Sequence, residues 1–150
     1  MPRHHERLIV PYTDAQMFAL VADVARYPEF LPWCKRAVVG PAETVEGKTI
    51  FFADLTVAFA HVQETYTSRV ELDPIGGRIE ARHVKGPFQH LDTVWTFAPR
   101  GEGACQIGCT VDFAFQSRSL QTMMAMVFGP AVSRMASAFQ TRARVLYGIR

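Results

Sequence analysis

The chain has 150 residues, of which 49% are hydrophobic and only 20% charged, and its formal net charge is +2. This composition excludes a disordered, collagen-like or coiled-coil protein, and so balanced a charge excludes a dedicated DNA-binding domain, whose mark is a strong basic stripe. A single domain over residues 1–150 is expected, with a core that needs neither disulfide nor metal. Leu8, Val10 and Tyr12 alternate with Arg7, Ile9 and Pro11 in a short first strand, with Pro11 at its end or on a sheet edge. Thr13-Asp14-Ala15-Gln16 reads as a capping box, in which the Thr hydroxyl and the Gln side chain each satisfy an orphan backbone N–H. The helix it opens carries Met17, Phe18, Leu20, Val21 and Val24 on one side and ends near Tyr27-Pro28. Glu29 to Trp33 leaves room for one further turn, whose large apolar residues must pack somewhere.

From about Lys35 to Gln116 the hydrophobic period switches to two. Strands are expected at 35–40, 48–60, 62–73, 77–85, 88–99 and 104–116, with Gly- and Pro-containing turns between them. Such short connections make neighbouring strands antiparallel. In the last strand Cys105, Ile107, Cys109, Val111, Phe113 and Phe115 face one way, and Gln106, Thr110, Asp112 and Gln116 the other. Residues 117–147 then turn helical, with Leu120, Met124, Val127, Ala131, Met135 and Ala138 in one stripe and a kink expected at Gly129-Pro130. The result is an α+β fold: a curved antiparallel sheet of about seven strands wrapped around a long C-terminal helix, with two short helices after strand 1.

The apolar surplus gathers in particular places. Phe51, Leu55, Val57 and Phe59 would join Val111, Phe113 and Phe115 on the inner face, with Tyr66, Val70, Ile79, Ala81, Leu91, Trp95 and Phe97 on the same side. That surface suits an elongated apolar ligand, and it equally suits plain packing against the helix. Met123, Met124, Met126, Val127 and Phe128 are apolar almost all round. Two readings stand for this stretch: it is covered by the first helix or a loop, or it forms a Met-rich lid or patch facing a cavity, a membrane or a partner.

Catalytic signatures are missing. There is no G-x-S-x-G elbow and no nucleotide-binding glycine loop, and Gly101-Glu102-Gly103 is a hairpin turn. His4-His5 is a terminal dipeptide, and His61, His83 and His90 lie on or beside strands without metal-ligand spacing. Asp54 is expected to point to solvent from the outer face. Nothing assembles a nucleophile, a base and an orienting group, so the residues read as a binder with no catalytic or metal site. Cys105 and Cys109 sit roughly 13 Å apart along one strand face, too far for a disulfide. Three unpaired thiols fit a cytoplasm-like compartment. The first residues lack a signal-like apolar stretch and no run reaches membrane-spanning length, so a soluble protein is expected, with membrane-surface contact left open. The basic residues are 13 Arg and 3 Lys, an imbalance that leaves a local anionic contact open and is not explained by the sequence.

The segments Tyr27-Pro28-Glu29-Phe30-Leu31-Pro32-Trp33-Cys34, Tyr66-Thr67-Ser68-Arg69-Val70, Gly86-Pro87-Phe88 with Leu91, Trp95-Thr96-Phe97, and Ala138-Phe139 with Arg142-Ala143 resemble the coenzyme-Q-binding START-like family. The bacterial ribosome-association toxins are of the same lineage, within the polyketide cyclase/START-like superfamily. The resemblance spans essentially the whole chain. It implies a helix-grip fold enclosing a hydrophobic tunnel, and a non-catalytic carrier or chaperone of ubiquinone that supports respiratory electron transport at the inner face of its membrane. No cofactor is implied beyond ubiquinone or a similar lipid as the bound ligand. By motif position it singles out Leu31, Trp33, Phe88, Leu91, Trp95 and Phe97. The competing reading is a toxin-like protein that binds the large ribosomal subunit through Arg142, Arg144, Arg150 and the Arg3–Arg7 arm. A weaker one is a polyketide cyclase or aromatase, against which the lack of an acid/base pair counts.

Overall fold

Period-two sequence gives one antiparallel sheet: β1 (Arg3–Val10), β2 (Cys34–Val39), β3 (Glu43–Val45), β4 (Lys48–Phe59), β5 (Val62–Asp73), β6 (Arg78–Lys85), β7 (Phe88–Pro99) and β8 (Cys105–Phe115). The strand order is β1-β8-β7-β6-β5-β4-β2, with β3 pairing the start of β4. The computed structural model describes residues 3–59, 62–119, 121–122 and 134–149. The expected lid residues Met124, Val127 and Phe128, with Leu120, Ala131 and the Gly129-Pro130 kink, lie outside the described residues, as do His61 and Arg150.

The first strand starts earlier than the sequence suggests and stops at Val10, before Pro11, on the edge of the sheet. Tyr12, expected inside that strand, lies beyond it yet is buried, its hydroxyl donating to the Gly148 carbonyl at 2.7 Å. The capping box forms as expected: Gln16 N–H donates to Thr13 Oγ1 at 3.1 Å, and Thr13 N–H to Gln16 Oε1 at 2.9 Å. Helix α1 (Asp14–Ala22) buries Met17, Leu20 and Val21. It ends sooner than its apolar pattern predicts, giving way at Asp23 to a 3₁₀ helix (Val24–Glu29) that contains Pro28. Proline supplies no backbone N–H and crowds the carbonyl of residue i−4, so the chain tightens rather than continuing as α-helix.

The eighth strand, β3, was not legible. It has three residues, all exposed, and pairs with β4 across a two-residue turn in which Glu46 and Gly47 both have positive φ, 51° and 80°. That is the hairpin geometry whose twist suits a sheet, built here from Glu-Gly instead of the more usual Asn-Gly.

Three register shifts bend the sheet. They leave Lys35 in β2, Val84 in β6 and Gln89 in β7 as extra, exposed residues opposite a regular neighbour. Each such bulge kinks its strand and raises the local twist. All three lie beside the inward residues Cys34, His83 and Phe88, so the curvature concentrates over one end of the concave face.

The C-terminal helix α2 (Met135–Tyr147) packs into that face with Ala136, Phe139 and Ala143 buried. The expected stripe through Met135 and Ala138 is corrected by one position, these two being only partly buried flanks. In a segment this rich in alanine, hydrophobicity does not fix the helix rotation. Phe139 does, because its ring meets Phe30 at 5.1 Å, Tyr27 at 5.3 Å and Trp95 at 5.0 Å between centroids.

Candidate functional site

The inward residues of β4 to β7 alternate as expected, but they do not all reach α2. Val70 of β5, Ala81 of β6 and Thr93 of β7 pair in a row across three strands, and Ser68 lies one inward step along β5 from Val70. Ser, Ala and Thr are short. Where bulky residues on these strands would meet the helix, a cavity of about 100 Å³ remains. One water needs roughly 10–15 Å³ of such space, so it admits several waters or one small ring.

Leu31, Trp33, Leu55, Val57, Tyr66, Leu91 and Trp95, named from sequence, line this cavity. Val70, Ile79 and Ala81, expected on the same side, line it too. Phe51, Phe88, Phe97, Val111 and Phe113 do not: they are buried as core. For Phe88, Phe97 and Phe113 the reason is aromatic packing, which fills the face around them. Phe97 stacks on Trp95 and meets Phe18, and Phe88 stacks on Phe115 at 4.8 Å, with Phe113 edge-on to Phe115. Sequence reasoning missed Val24, Tyr27, Cys34, Ser68, Thr93, Met135 and Phe139 on the wall. Strict alternation places Ser68 between inward Tyr66 and Val70, and Thr93 between inward Leu91 and Trp95. Only their polar character hid them.

The wall is electrostatically quiet, with no Asp, Glu, Lys, Arg or His among its described residues. Burial raises the phenols of Tyr27 and Tyr66, and it pushes the Cys34 thiol up to about 11. Cys34 is therefore protonated at neutral pH and a poor nucleophile. The same holds for the buried, unpaired Cys105 and Cys109, pushed up to about 11 and about 12. Tyr27 uses its hydroxyl on the Val21 carbonyl. The hydroxyls of Tyr66, Ser68 and Thr93 make no hydrogen bond to any described residue. Beside the cavity, His83 has a fully enclosed Nε2 without a partner among the described residues, and desolvation lowers its pKa below 6.5.

Other polar groups face elsewhere. His90 Nε2 and Asp112 Oδ1 lie 2.9 Å apart on the convex side of the sheet. Asp54 is exposed, as expected, and accepts from Thr67 Oγ1 at 2.6 Å. No cluster of three His, Cys, Asp or Glu side chains occurs among the described residues, and no helix there is long and apolar enough to cross a membrane. The expected basic surface needs correction. Arg142 is only 13% exposed, bonded to Glu29 Oε1 at 2.6 Å and placed 5.2 Å above the Phe30 ring, whereas Arg3, Arg7 and Arg144 are exposed. Arg142 is thus a clasp between α2 and the 3₁₀ segment and is not offered to an anion.

The family model described as "Polyketide cyclase / dehydrase and lipid transport" matches residues 10–140, so the chain belongs to this family. It is 38% identical over 149 residues to the ribosome association toxin RatA of Pseudomonas aeruginosa, covering 99% of this chain and 100% of that protein. It is 32% identical to the mitochondrial coenzyme Q-binding protein COQ10 homolog B of Xenopus laevis, covering 97% of this chain and 59% of that protein. Among solved structures, the Zhui aromatase/cyclase of a Streptomyces species superposes with a TM-score of 0.81 over 99% of both chains. At 20% identity that likeness concerns the fold alone.

Proposed function

We propose, from membership of this family, that the protein binds ubiquinone or a related isoprenoid lipid in the cavity beneath α2 and acts on it as a carrier or chaperone, without chemistry of its own. The observation that carries this reading is the cavity itself, a partly open, largely apolar space with no charged residue on its described wall, lined by both tryptophans of the chain, Trp33 and Trp95. Its described wall carries no ionisable base to take a proton from water, and it favours burial of apolar surface at ~25 cal/mol per Å². With space for a single ring, the isoprenoid tail has to leave the cavity, and a carrier working at the inner face of a respiratory membrane suits that demand. The test is organic extraction and mass spectrometry of protein purified under mild conditions. A quinone or isoprenoid at near-stoichiometric yield is expected, falling at least several-fold in Trp95→Ala. An empty extract from folded protein contradicts the reading.

A second reading, association with the large ribosomal subunit, is favoured by the 38% identity to a ribosome association toxin over nearly the full length of both chains. Arg142 is withdrawn from that surface, which leaves Arg3, Arg7 and Arg144 as its exposed cations among the described residues named for it. Co-sedimentation with large subunits at low salt, weakening steeply as salt is raised, is the outcome this reading requires. The two readings occupy different faces of the molecule, so Trp95→Ala separates them: it impairs lipid retention and spares co-sedimentation.

A further inference from the structure

Of the hydroxyls on the described cavity wall, Tyr27's is spent on the Val21 carbonyl, whereas those of Tyr66, Ser68 and Thr93 have no evident task in holding the fold together. Ser68 is only 3% exposed, yet its Oγ, like Thr93 Oγ1, makes no hydrogen bond to a described residue. Neither oxygen is among the fully enclosed unpaired polar atoms, so both hydroxyls reach the cavity space and can donate into it. Both side chains face the same space, and Ala81 on the strand between them leaves the gap open.

From this geometry we infer that Ser68 and Thr93 form a two-point subsite for a neutral ring bearing hydrogen-bond-accepting oxygens at opposite ends, bound head-first. The inference rests on the reading of the cavity as a ligand site. Two strand spacings of ~4.8 Å and one inward step of two residues set the Ser68 and Thr93 backbones about 12 Å apart, and the concave curvature brings the side chains closer. A six-membered ring with two opposed carbonyls, each accepting a hydrogen bond of ~2.8 Å, spans about 11 Å between donors. Each hydroxyl donates to one carbonyl oxygen, and Tyr66, inward on the same strand as Ser68, stands as a third donor beside them. The lack of any cation on the described wall disfavours carboxylate and phosphate heads, which would enter without a counter-charge. Ser68, Val70, Ile79 and Trp95 are buried, whereas Thr93, Trp33, Tyr66 and Met135 are half-buried, so Ser68 holds the deeper end of the ring and a tail leaves past Trp33 and Met135.

Binding is read by isothermal titration calorimetry, which reports all three ligands alike, with three probes of equal alkyl chain: a decyl 1,4-benzoquinone, decylbenzene and decanoate. Wild-type protein should bind the quinone at least tenfold more tightly than either control. Ser68→Ala and Thr93→Val each remove one hydroxyl at nearly constant shape, and each should weaken the quinone two- to tenfold while leaving decylbenzene within twofold. Thermal melting of both variants checks that they fold. Equal affinity for all three probes, tight decanoate binding, or quinone affinity unmoved in both variants of folded protein overturns the subsite while leaving a ligand-binding cavity in place. Failure of every probe to bind wild type overturns the cavity reading, and the subsite with it.

Discussion

The concave face has two halves built by the same alternation and finished differently. In the half built from β8, β1 and α1, Val10, Met17, Val21, Cys105 and Ile107 are all 1% exposed or less. On the β5–β7 side the inward row runs Val70, Ala81, Thr93, with Ser68 beside it, and stops short of α2. Both halves present one buried side chain every second residue. What separates them is volume: the first half is closed by rings and branched chains, whereas short residues keep the second hollow. Interiors pack to near-crystalline density, so a persistent void under a helix marks stability forgone at that place. The packed half sets how firmly the molecule folds, and the hollow half sets what it holds.

The sharpest way to break this contrast is to cut into the packed half. Phe113→Ala should cost about 3–5 kcal/mol in chemical denaturation, through lost burial and the void left behind. Should this substitution cost less than 1 kcal/mol, the packed half is not what holds the fold. Enlarging a side chain should then have opposite consequences in the two halves. Cys105→Leu, at a site with no accessible surface, overfills its surroundings and should destabilise by about 1–3 kcal/mol. Ala81→Leu grows into the void and should shift the melting temperature by no more than a couple of degrees, while quinone-probe binding falls more than tenfold. Equal destabilisation by the two leucines would erase the distinction.

Smaller effects sharpen it further. Thr13→Ala removes the cap of α1 over the packed half and should cost about 1 kcal/mol without changing probe affinity. The least effect belongs to His83, beside the hollow. Desolvation holds its folded-state pKa below the ordinary histidine value, so well above pH 6.5 the ring is neutral in both states and stability is at its full value. As the pH falls below 6.5 the unfolded chain takes up the proton first, and stability declines through the folded-state pKa. His83→Gln should flatten stability between pH 7 and 5, and an NMR titration should place His83 below an unperturbed histidine.

Most of the architecture is legible in the sequence because its signals are local. The turn residues and strict alternation locate β4 to β8 to within a residue or two, and Thr13 with Gln16 announces the start of α1. Where the reading slips, a long-range or weak cause is at work. Three exposed residues in β3 carry no hydrophobic period, and the rotation of α2 is set by ring contacts from Tyr27 and Phe30, more than a hundred residues away in sequence, and from Trp95 on the sheet. The site shows the same division. Tyr66, Leu91 and Trp95 follow from alternation, whereas the cavity arises from the difference between side chains that reach the helix and those that fall short. Ser68 and Thr93 were on the correct face all along, but a search for apolar lining passes over hydroxyls. The five buried residues wrongly expected on the wall, Phe51, Phe88, Phe97, Val111 and Phe113, share its face and not its emptiness.

The tyrosines at the far end of α2 carry a mechanical consequence. Tyr12 donates to Gly148 just past the helix, and Tyr147 donates to the Gln16 carbonyl in α1 at 3.1 Å. Both bonds lie at the C-terminal end, whereas the cavity lies at the Met135 end, about 20 Å away along the helix axis. The helix is therefore a lever with its fulcrum at Tyr147, and a tilt of about 5° there moves Met135 by about 2 Å over that length. Against that swing stand the Phe139 ring contacts and the Arg142–Glu29 clasp, both nearer the fulcrum than Met135. Among the described residues, a push at the Met135 end acts about Tyr147 with a longer arm than the Arg142–Glu29 clasp has.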